Sequence, residues 1–346
     1  MDPVEVDGSQ GEGGGQILRT AVAFSAIRRA PVRIVKIRAG RDVPGLKRQH
    51  VSALKVLASV FGGELDGAEE GSSTVRFVPG RPRLSSFSID MGTAASITLV
   101  LQAVVPAVSL SGSSLELSLT GGTDVPWSPT ADYFREVVVP GYGAVGIRAD
   151  VGILRRGYYP RGGGVVRASI HECRALTPLR PTHCPPVAAA EVTSRCGALP
   201  RKVAERQAQA AVEVLSGSAI RAASVRVTEE QASSPGTSVL VSNVGNGCFI
   251  GSDAIGARGK QAEAVGKEAA ERFVSAAASN PSMDSNLADM VIPLLSLAPG
   301  PSEVRVPAVT PHLESGLRLA SQFTSCSWSV RQEGKGAVVA VVPANP

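Results

Sequence analysis

A glycine-rich segment near the start of the chain, "DGSQGEGGGQILRT" (7–20), places four glycines, Gly11 and Gly13–Gly15, around the carboxylate of Glu12. Glycine lets backbone N–H groups approach a phosphate closely, and a helix beginning there adds the positive end of its dipole. Glu12 would repel a bare phosphate, but a divalent cation between them would bind both, because hard cations take carboxylate oxygens. The segment predicts a phosphate and metal site, with a mobile solvent turn as the alternative.

A cluster of basic and polar residues follows in "RAGRDVPGLKRQH" (38–50). Its members are Arg38, Arg41, Lys47, Arg48, Gln49 and His50. Arg48, Gln49 and His50 are consecutive, so they cannot all lie on one helix face. Arginine forks match phosphate oxygens, which makes a phosphate-binding cluster one interpretation. A solvated basic face is the other.

His312 stands just after Pro311 in "VTPHLESGLRL", at the predicted opening of a helix. A helix N-terminus lowers the pKa of a histidine and leaves a neutral ring nitrogen free to attack. A capping or surface histidine is the alternative. The sequence shows no Ser/His/Asp or HExxH arrangement that would compete as a catalytic centre.

The segment "HECRALTPLRPTHC" contains four soft ligands, His171, Cys173, His183 and Cys184. Their spacing matches no common zinc finger, so a zinc site is the weaker interpretation. The chain has five cysteines. An odd number in a long chain argues against a disulfide framework.

These residues are positioned by an internal repeat. Each copy has a strand, an apolar helix, a strand, a second helix and two strands. The first helix of each copy lies within 3–27, 86–108 and 285–298, and the second within 40–63, 122–146 and 310–324. Both G-x-D-V-P segments, at 40–44 and 122–126, predict a chain break and a helix start. Ser285 or Asn286 is the predicted cap of its helix.

The third copy begins later than the spacing of the first two predicts, so an insertion is expected inside it. Residues 179–280 contain a helix, two strands and a helix of their own, between Pro-rich and Asn/Ser/Pro-rich segments. We therefore predict an α/β (α+β) fold. A large domain at 1–178 and 281–346 holds three βαβαββ units, and 179–280 forms a small inserted α/β domain.

Composition sets broad limits on the class of protein. The chain has 346 residues, of which 43% are hydrophobic, and a net charge of +5, which favours a polyanionic partner only weakly. No secretory signal opens the sequence. The most apolar run, "SITLVLQAVVPAVSL", is too short to span a bilayer and contains Gln102 and Pro106. We expect a soluble, cytoplasmic protein with no membrane partner.

Seven segments now combine in order: "DGSQGEGGGQILRTA", "IRAGRDVPGLKRQH", "GTAASITLVLQ", "GGTDVPWSPTADYF", "YYPRGGGVV", "NLADMVIPL" and "PHLESGL". Over nearly the whole chain the sequence closely resembles the RNA 3′-terminal phosphate cyclase family. The resemblance implies the fold predicted above, three βαβαββ units with a small domain inserted in the third.

The resemblance also implies a ligase-type nucleotidyl-transfer reaction that consumes ATP. A histidine attacks the α-phosphate, which gives an enzyme-(histidinyl)-AMP and pyrophosphate. AMP then passes to the RNA 3′-phosphate, and the neighbouring 2′-hydroxyl displaces it to leave a 2′,3′-cyclic phosphate. Such covalent catalysis converts a poor leaving group into a good one. The implied partners are ATP and RNA 3′-phosphate ends, and a homodimer is compatible with the resemblance.

The family's functional positions correspond to particular residues here. The resemblance makes His312 the nucleophile and Glu12 the ligand of a divalent Mg or Mn ion. Phosphates of ATP or the RNA end would be bound by Arg19, Arg38, Arg41, Arg48, Gln49 and His50. ATP would be bound by Gln102, Pro129, Tyr133, Asn286, Leu287, Ala288, Asp289 and Met290. All lie outside 179–280, so we expect self-adenylylation to survive removal of that span.

Two other functions are compatible with the repeats. One is a non-catalytic cyclase-like ribosome-assembly or RNA-binding scaffold, which lacks the nucleophilic histidine. The other is an enolpyruvyl transferase-like enzyme, which uses related repeats without a covalent histidine. His312 and the intact glycine-rich segment favour the cyclase branch that retains its nucleophile.

Overall fold

The computed structural model describes residues 2–82, 85–180 and 184–344. The first unit has the predicted order of elements: β1 (Val4–Asp7), α1 (Gly15–Arg28), β2 (Val32–Val35), α2 (Arg48–Phe61), β3 (Glu64–Asp66) and β4 (Val75–Val78). Its strands form one sheet in the order β1-β2-β4-β3, in which β1 and β2 are parallel. Alternate residues of β2 and β4 are buried, as expected for a sheet with one face on the core.

The second unit repeats this topology. It comprises β5 (Ser86–Asp90), α3 (Ile97–Leu110), β6 (Leu115–Gly121), α4 (Ala131–Tyr133), α5 (Val139–Ala144), β7 (Ala149–Arg155) and β8 (Gly164–Ile170). A π-helical stretch over Phe134–Val138 joins α4 to α5. The sheet order is β5-β6-β8-β7, with β5 and β6 parallel.

The third unit consists of α8 (Ser285–Val291), a 3₁₀ segment (Ile292–Leu297), β13 (Ser302–Val306), α9 (Pro311–Thr324), β14 (Ser327–Glu333) and β15 (Gly336–Val342). Within the described residues its sheet has three strands, in the order β13-β15-β14. The place of the first strand is marked by a backbone hydrogen bond from Ser282 N to Arg305 O at 2.9 Å. This unit therefore retains the order of the other two with its first strand reduced.

One apolar core joins the three units. Helix α1 contacts α2, α3 and α9, and Phe24 of α1 lies 5.8 Å from Phe323 of α9 between ring centroids. The predicted mixed α+β fold class is confirmed. Within the described residues, none of the helices has the length and apolar character that crossing a bilayer requires.

Residues 189–277 build a fourth sheet with its own apolar cluster. The elements are β9 (Ala189–Gly197), α6 (Arg201–Gly217), β10 (Arg221–Glu230), β11 (Gly236–Gly245), β12 (Cys248–Ile255) and α7 (Ala262–Ala277). The sheet order is β10-β9-β11-β12. Strands β9 and β12 were not predicted, because β9 opens with two alanines and β12 contains glycine and aspartate, which have weak β-propensity. The domain boundaries at 179 and 280 stay a prediction.

A disulfide joins Cys184 to Cys248, whose Cα atoms are 5.9 Å apart. The odd cysteine count did not predict it. Cys173, Cys196 and Cys326 are free and buried. Pairing depends on which cysteines the fold brings together, which a count of cysteines does not contain.

Three predicted helix starts need correction. The G-x-D-V-P segments do not begin helices: α2 begins at Arg48, and α4 begins at Ala131, where the Thr130 side chain accepts a hydrogen bond from Tyr133 N. The side chain of Asp284, and not that of Ser285 or Asn286, caps α8 by accepting from Leu287 N. Val43–Pro44 and Val125–Pro126 lie in the loops before α2 and α4, whereas Ser285 and Asn286 are the first two residues of α8.

Charged side chains form a buried junction between the second unit and the fourth sheet. The Arg156 guanidinium is fully buried and lies 2.7 Å from Asp132, 3.2 Å from Asp124 and 2.6 Å from Glu230. Arg195 of β9 adds a second cation 2.9 Å from Asp132. Pairing of opposite charges offsets the free-energy cost of removing them from water.

We predict that Arg156→Met destabilises the protein strongly, because Asp124 and Asp132 would keep their buried charges without their main partner. The free energy of unfolding should fall by about 3–5 kcal/mol, measured by urea denaturation at pH 7. The control is Arg33→Met, whose partner Glu5 is exposed. That variant should lose less than about 1 kcal/mol, and equal losses in both variants would contradict the prediction.

Candidate active site

The glycine-rich loop runs from β1 into α1 against the start of α9. Gly11 has a φ of +59°, and a Cβ atom there would lie 1.9 Å from Ser315 Oγ, so the loop can approach α9 only with glycine. Gly14 is the N-cap of α1, and no side chain caps this end. The first N–H groups of α1 are therefore free of a side-chain acceptor, as an anion-binding helix start requires.

His312 is the second residue of α9 and follows Pro311 at the helix start. The Thr310 side chain caps this end by accepting from Leu313 N at 2.9 Å. The imidazole Nε2 lies 3.5 Å from Glu12 Oε2, and both side chains are about two-fifths exposed, at 41% and 44%. Glu12 and His312, which are 300 positions apart in the chain, are therefore neighbours at a solvent-accessible site.

The pKa of His312 is lowered from its ordinary value. Partial burial is the main cause; Glu12 opposes the shift, while Arg19 and Arg41 add to it. The ring is therefore neutral at pH 7 and carries a lone pair, which a nucleophile needs.

Two arginines adjoin this pair. Arg41 Nη2 lies 3.8 Å from Glu12 Oε2. Arg19 lies one turn inside α1, and burial lowers its pKa to about 10, so it stays protonated at pH 7. Both cations are placed to neutralise charge on a phosphoryl group held near His312.

Arg38 holds the shape of the neighbouring loop. Its guanidinium is buried, and Nη1 donates to Val43 O at 2.6 Å and to Gly45 O at 2.9 Å. The phosphate contact expected of Arg38 stays a prediction. Its contacts show it as a brace for the loop that carries Arg41.

His50 is buried as well, and its ring supports the glycine-rich loop. Nδ1 accepts a hydrogen bond from Lys47 N at 3.1 Å, and a Cβ atom on Gly15 would come within 2.6 Å of Nε2. Burial lowers its pKa to about 4, and Arg19, Arg38 and Lys47 contribute in the same direction. His50 is thus a neutral packing residue behind the loop.

A cavity of about 630 Å³ opens beside His312. Seven of the predicted residues line it: His312, Arg19, Gln102, Pro129, Asn286, Asp289 and Met290. Within the described structure, Gln102 Nε2 is buried and has no hydrogen-bond partner. A donor left unpaired in a cavity wall is expected to meet an acceptor on a ligand.

Other predicted residues lie elsewhere. Leu287 and Ala288 are fully buried in the core, because they occupy the inner face of α8 while their polar neighbours face the cavity. Tyr133 is also fully buried and donates its hydroxyl proton to Asp284 Oδ1 at 2.7 Å. These three side chains do not line the cavity, and their contact with ATP stays a prediction.

Arg48 and Gln49 of the basic cluster also lie away from the cavity. The Arg48 side chain is 79% exposed and pairs with Glu70 at 3.1 Å. Gln49 is exposed beside it. Neither lines the cavity, because the first turn of α2 presents them to solvent.

Sequence reasoning missed one wall of the cavity. Residues at the end of β12, in the loop that follows it and on α7 line it, namely Asp253, Ala254, Ile255, Ala257, Lys260, Glu268 and Arg272. Thr130 N donates to Asp253 Oδ2 at 2.6 Å, which joins this wall to the loop before α4. Removal of 179–280 would remove that wall, so the structure does not support the expectation that the nucleotide site is independent of the span. The glycine- and charge-rich "GSDAIGARGK" was the available signal.

The described residues of the soft-ligand segment form no metal site. His171 Nε2 lies 3.2 Å from Asp150, Cys184 is in the disulfide, and His183 lies outside the described residues. Nowhere in the described ranges do three or more His, Cys, Asp or Glu side chains converge as metal ligands. Glu12 remains a lone accessible carboxylate. This suits Mg²⁺ or Mn²⁺, because Mg²⁺ keeps several waters and takes one or two carboxylates together with substrate phosphates.

Comparison with known proteins agrees with this geometry. The family model described as RNA 3′-terminal phosphate cyclase matches residues 10–330. A protein of Methanopyrus kandleri with that name is 40% identical, covering 99% of each chain. Its namesake from Thermococcus gammatolerans is 40% identical over 99% of this chain and 98% of its own.

The chain belongs to the RNA 3′-terminal phosphate cyclase family. The matched range contains the glycine-rich loop, the fourth sheet and His312. All cavity-lining residues of this cyclase-family chain, from Gln16 to His312, fall within it.

Asp289 allows a pH test of the cavity in this cyclase-family protein. Burial raises the pKa of Asp289 to about 7; Thr310 opposes the shift by donating to the carboxylate, while Asp284 and Glu12 add to it. The unfolded value is about 3.9, so the folded state holds this proton more tightly. The resulting stability is fully present below the unfolded pKa and is lost as pH rises through the folded one.

We predict that Asp289→Asn, which cannot ionise, gains stability relative to the wild type as pH rises from about 4 to 8. Urea denaturation at several pH values measures this difference. The control is Asp66→Asn, an exposed residue paired with Arg76, whose difference from the wild type should stay nearly constant from about pH 5 to 8. A constant difference for Asp289→Asn would contradict the assignment.

Proposed function

We propose that this protein converts an RNA 3′-terminal phosphate to a 2′,3′-cyclic phosphate with ATP. The observation that carries the proposal is the neutral His312 beside Glu12 at the mouth of a cavity, with Arg19 and Arg41 alongside. Membership of the cyclase family supports the same reaction. A scaffold without catalysis would have no need for an accessible neutral histidine at this point.

In the first step a lone pair of the His312 ring attacks the α-phosphorus of ATP. The N–P bond forms as the bond to pyrophosphate breaks. Arg19 and Arg41 stabilise the charge that builds up on the phosphoryl oxygens. Gln102 Nε2, unpaired in the wall, is available to donate to the nucleotide.

In the second step an oxygen of the RNA 3′-phosphate attacks the same phosphorus, and the N–P bond to His312 breaks. The 2′-hydroxyl then attacks the activated 3′-phosphorus, and AMP leaves with the bonding electrons. The last step is intramolecular, so proximity supplies much of its rate. The reaction needs no base-specific contact, because phosphate contacts carry no sequence code.

A divalent cation held by Glu12 and the phosphates would neutralise charge and orient the triphosphate. The ordinary ligand preference of Mg²⁺ or Mn²⁺ supports this role for Glu12. The cytoplasmic location, the homodimer and the domain boundaries remain predictions of the sequence.

We predict that His312→Ala abolishes transfer of label from α-labelled ATP to the protein. His171→Ala, which changes a half-exposed histidine paired with Asp150, should label like the wild type. Label retention is measured on denaturing gels and its position by mass spectrometry. Covalent AMP on the His312→Ala protein would assign the nucleophile elsewhere.

We predict that RNA ending in a 3′-phosphate is converted with ATP to a phosphatase-resistant end whatever its sequence, whereas a 3′-hydroxyl end does not react. A 3′-phosphate on a 2′-deoxy sugar should stop at the adenylylated strand, because the second nucleophile is missing. Gel analysis of labelled RNA measures each product. Release of AMP from the deoxy end as fast as from the ribose end would overturn the last step.

A further inference from the structure

Trp127 is an unusual surface residue. Its side chain is 95% exposed although it lines the mouth of the cavity beside His312. Its φ is +60°, in the left-handed region that residues other than glycine seldom adopt. Strained residues of this kind persist where the surroundings fix them, and they cluster at ligand sites. An indole that is almost fully exposed to solvent calls for an explanation.

Buried contacts fix the loop that carries Trp127. At one end Asp124 is paired with Arg156 at 3.2 Å, and at the other Thr130 N donates to Asp253 Oδ2 at 2.6 Å. Between them Ser128 Oγ donates to Val125 O at 2.9 Å, which closes the turn. The exposure of Trp127 is therefore a result of a defined loop conformation held at both ends.

The place of Trp127 in the cavity indicates which ligand it meets. The parts suited to enclose a nucleotide lie deeper: the half-buried Pro129, whose carbonyl accepts from Thr98 Oγ1 at 2.8 Å, and the buried unpaired amide of Gln102. A small nucleotide can be enclosed there. An RNA strand whose end reaches His312 must leave through the mouth, past the rim.

We propose that the indole of Trp127 is a stacking platform for a nucleobase at the 3′ end of the RNA. The inference rests on the proposed function and adds a binding subsite to it. Every base has a π face, so a single aromatic platform holds a strand without reading its sequence. This complements recognition of the terminal phosphate by arginines, which fixes the end but not the path of the strand.

Fluorescence tests the stacking directly, because the chain has two tryptophans, Trp127 and Trp328. Trp328→Phe leaves the rim indole as the reporter, and Trp127→Phe leaves Trp328 as the matched control. A short RNA with a 3′-phosphate should quench the Trp328→Phe protein strongly and the Trp127→Phe protein little. Quenching of the rim indole by ATP alone, with none added by RNA, would overturn the proposal, since the indole would then meet adenine.

An abasic substrate gives a second readout. Removing the bases of the last two nucleotides should weaken RNA binding to the wild type by about 5- to 100-fold, the range that base–aromatic stacking supplies. The same removal should have much less effect on Trp127→Ala, since the platform is already gone. Equal losses in both proteins would overturn the proposal.

These measurements separate the two hypotheses. A protein that takes no label from ATP but still shows base-dependent quenching at Trp127 would refute the proposed function and keep the platform. A protein that labels and cyclises normally, with no base-dependent quenching, would refute the platform alone.

Discussion

The buried charge of Arg156 is the constraint on which the arrangement of the cavity depends. A guanidinium without solvent must have carboxylates around it, and here they come from the second unit and from β10. Asp124, one of these partners, begins the loop that ends at Thr130. Thr130 N in turn donates to Asp253 Oδ2, which joins this loop to β12 at the cavity wall. The Arg156 ion pairs and this hydrogen bond therefore fix the loop of the second unit against the fourth sheet.

Two histidines near the glycine-rich loop, His50 and His312, have different roles because their surroundings differ. Both rings have a lowered pKa, and burial is the main cause in each. His50 uses Nδ1 to accept from Lys47 N and is packed under the loop, so its ring supports structure. His312 is part-exposed at the start of α9 with Nε2 directed toward Glu12. Access to solvent, more than protonation state, distinguishes His312, the proposed nucleophile, from the packed His50.

The charges around His312 suit a phosphorylated ligand. Arg19 stays protonated and Arg41 lies 3.8 Å from Glu12, whereas burial raises the pKa of Asp289 to about 7 and leaves much of it neutral. Glu12 is then the main opposing charge. A small excess of positive charge in a cleft attracts polyphosphates and the ends of nucleic acids. A cation on Glu12 would increase this excess at the point where the phosphates meet.

The sequence by itself determined what depends on neighbours within a few residues. Pro311 predicted the start of α9, because its fixed φ acts locally. Alternating and helical periodicity predicted the repeated unit, and the glycine-rich loop pointed to Glu12. Family motifs pointed to residues 286–290, of which Asn286, Asp289 and Met290 line the cavity, whereas Leu287 and Ala288 lie on the inner face of α8.

Tertiary structure decided whatever depends on residues far apart in the chain. Thr130 and Asp253, separated by 123 positions, meet in the wall of the cavity, and no local pattern contains that contact. The Cys184–Cys248 bond and the exposure of Trp127 have the same origin. The physical reason is that helix caps and strand alternation arise from local backbone hydrogen bonds, whereas a cavity is bounded by side chains whose proximity exists only after the units and the fourth sheet have packed together.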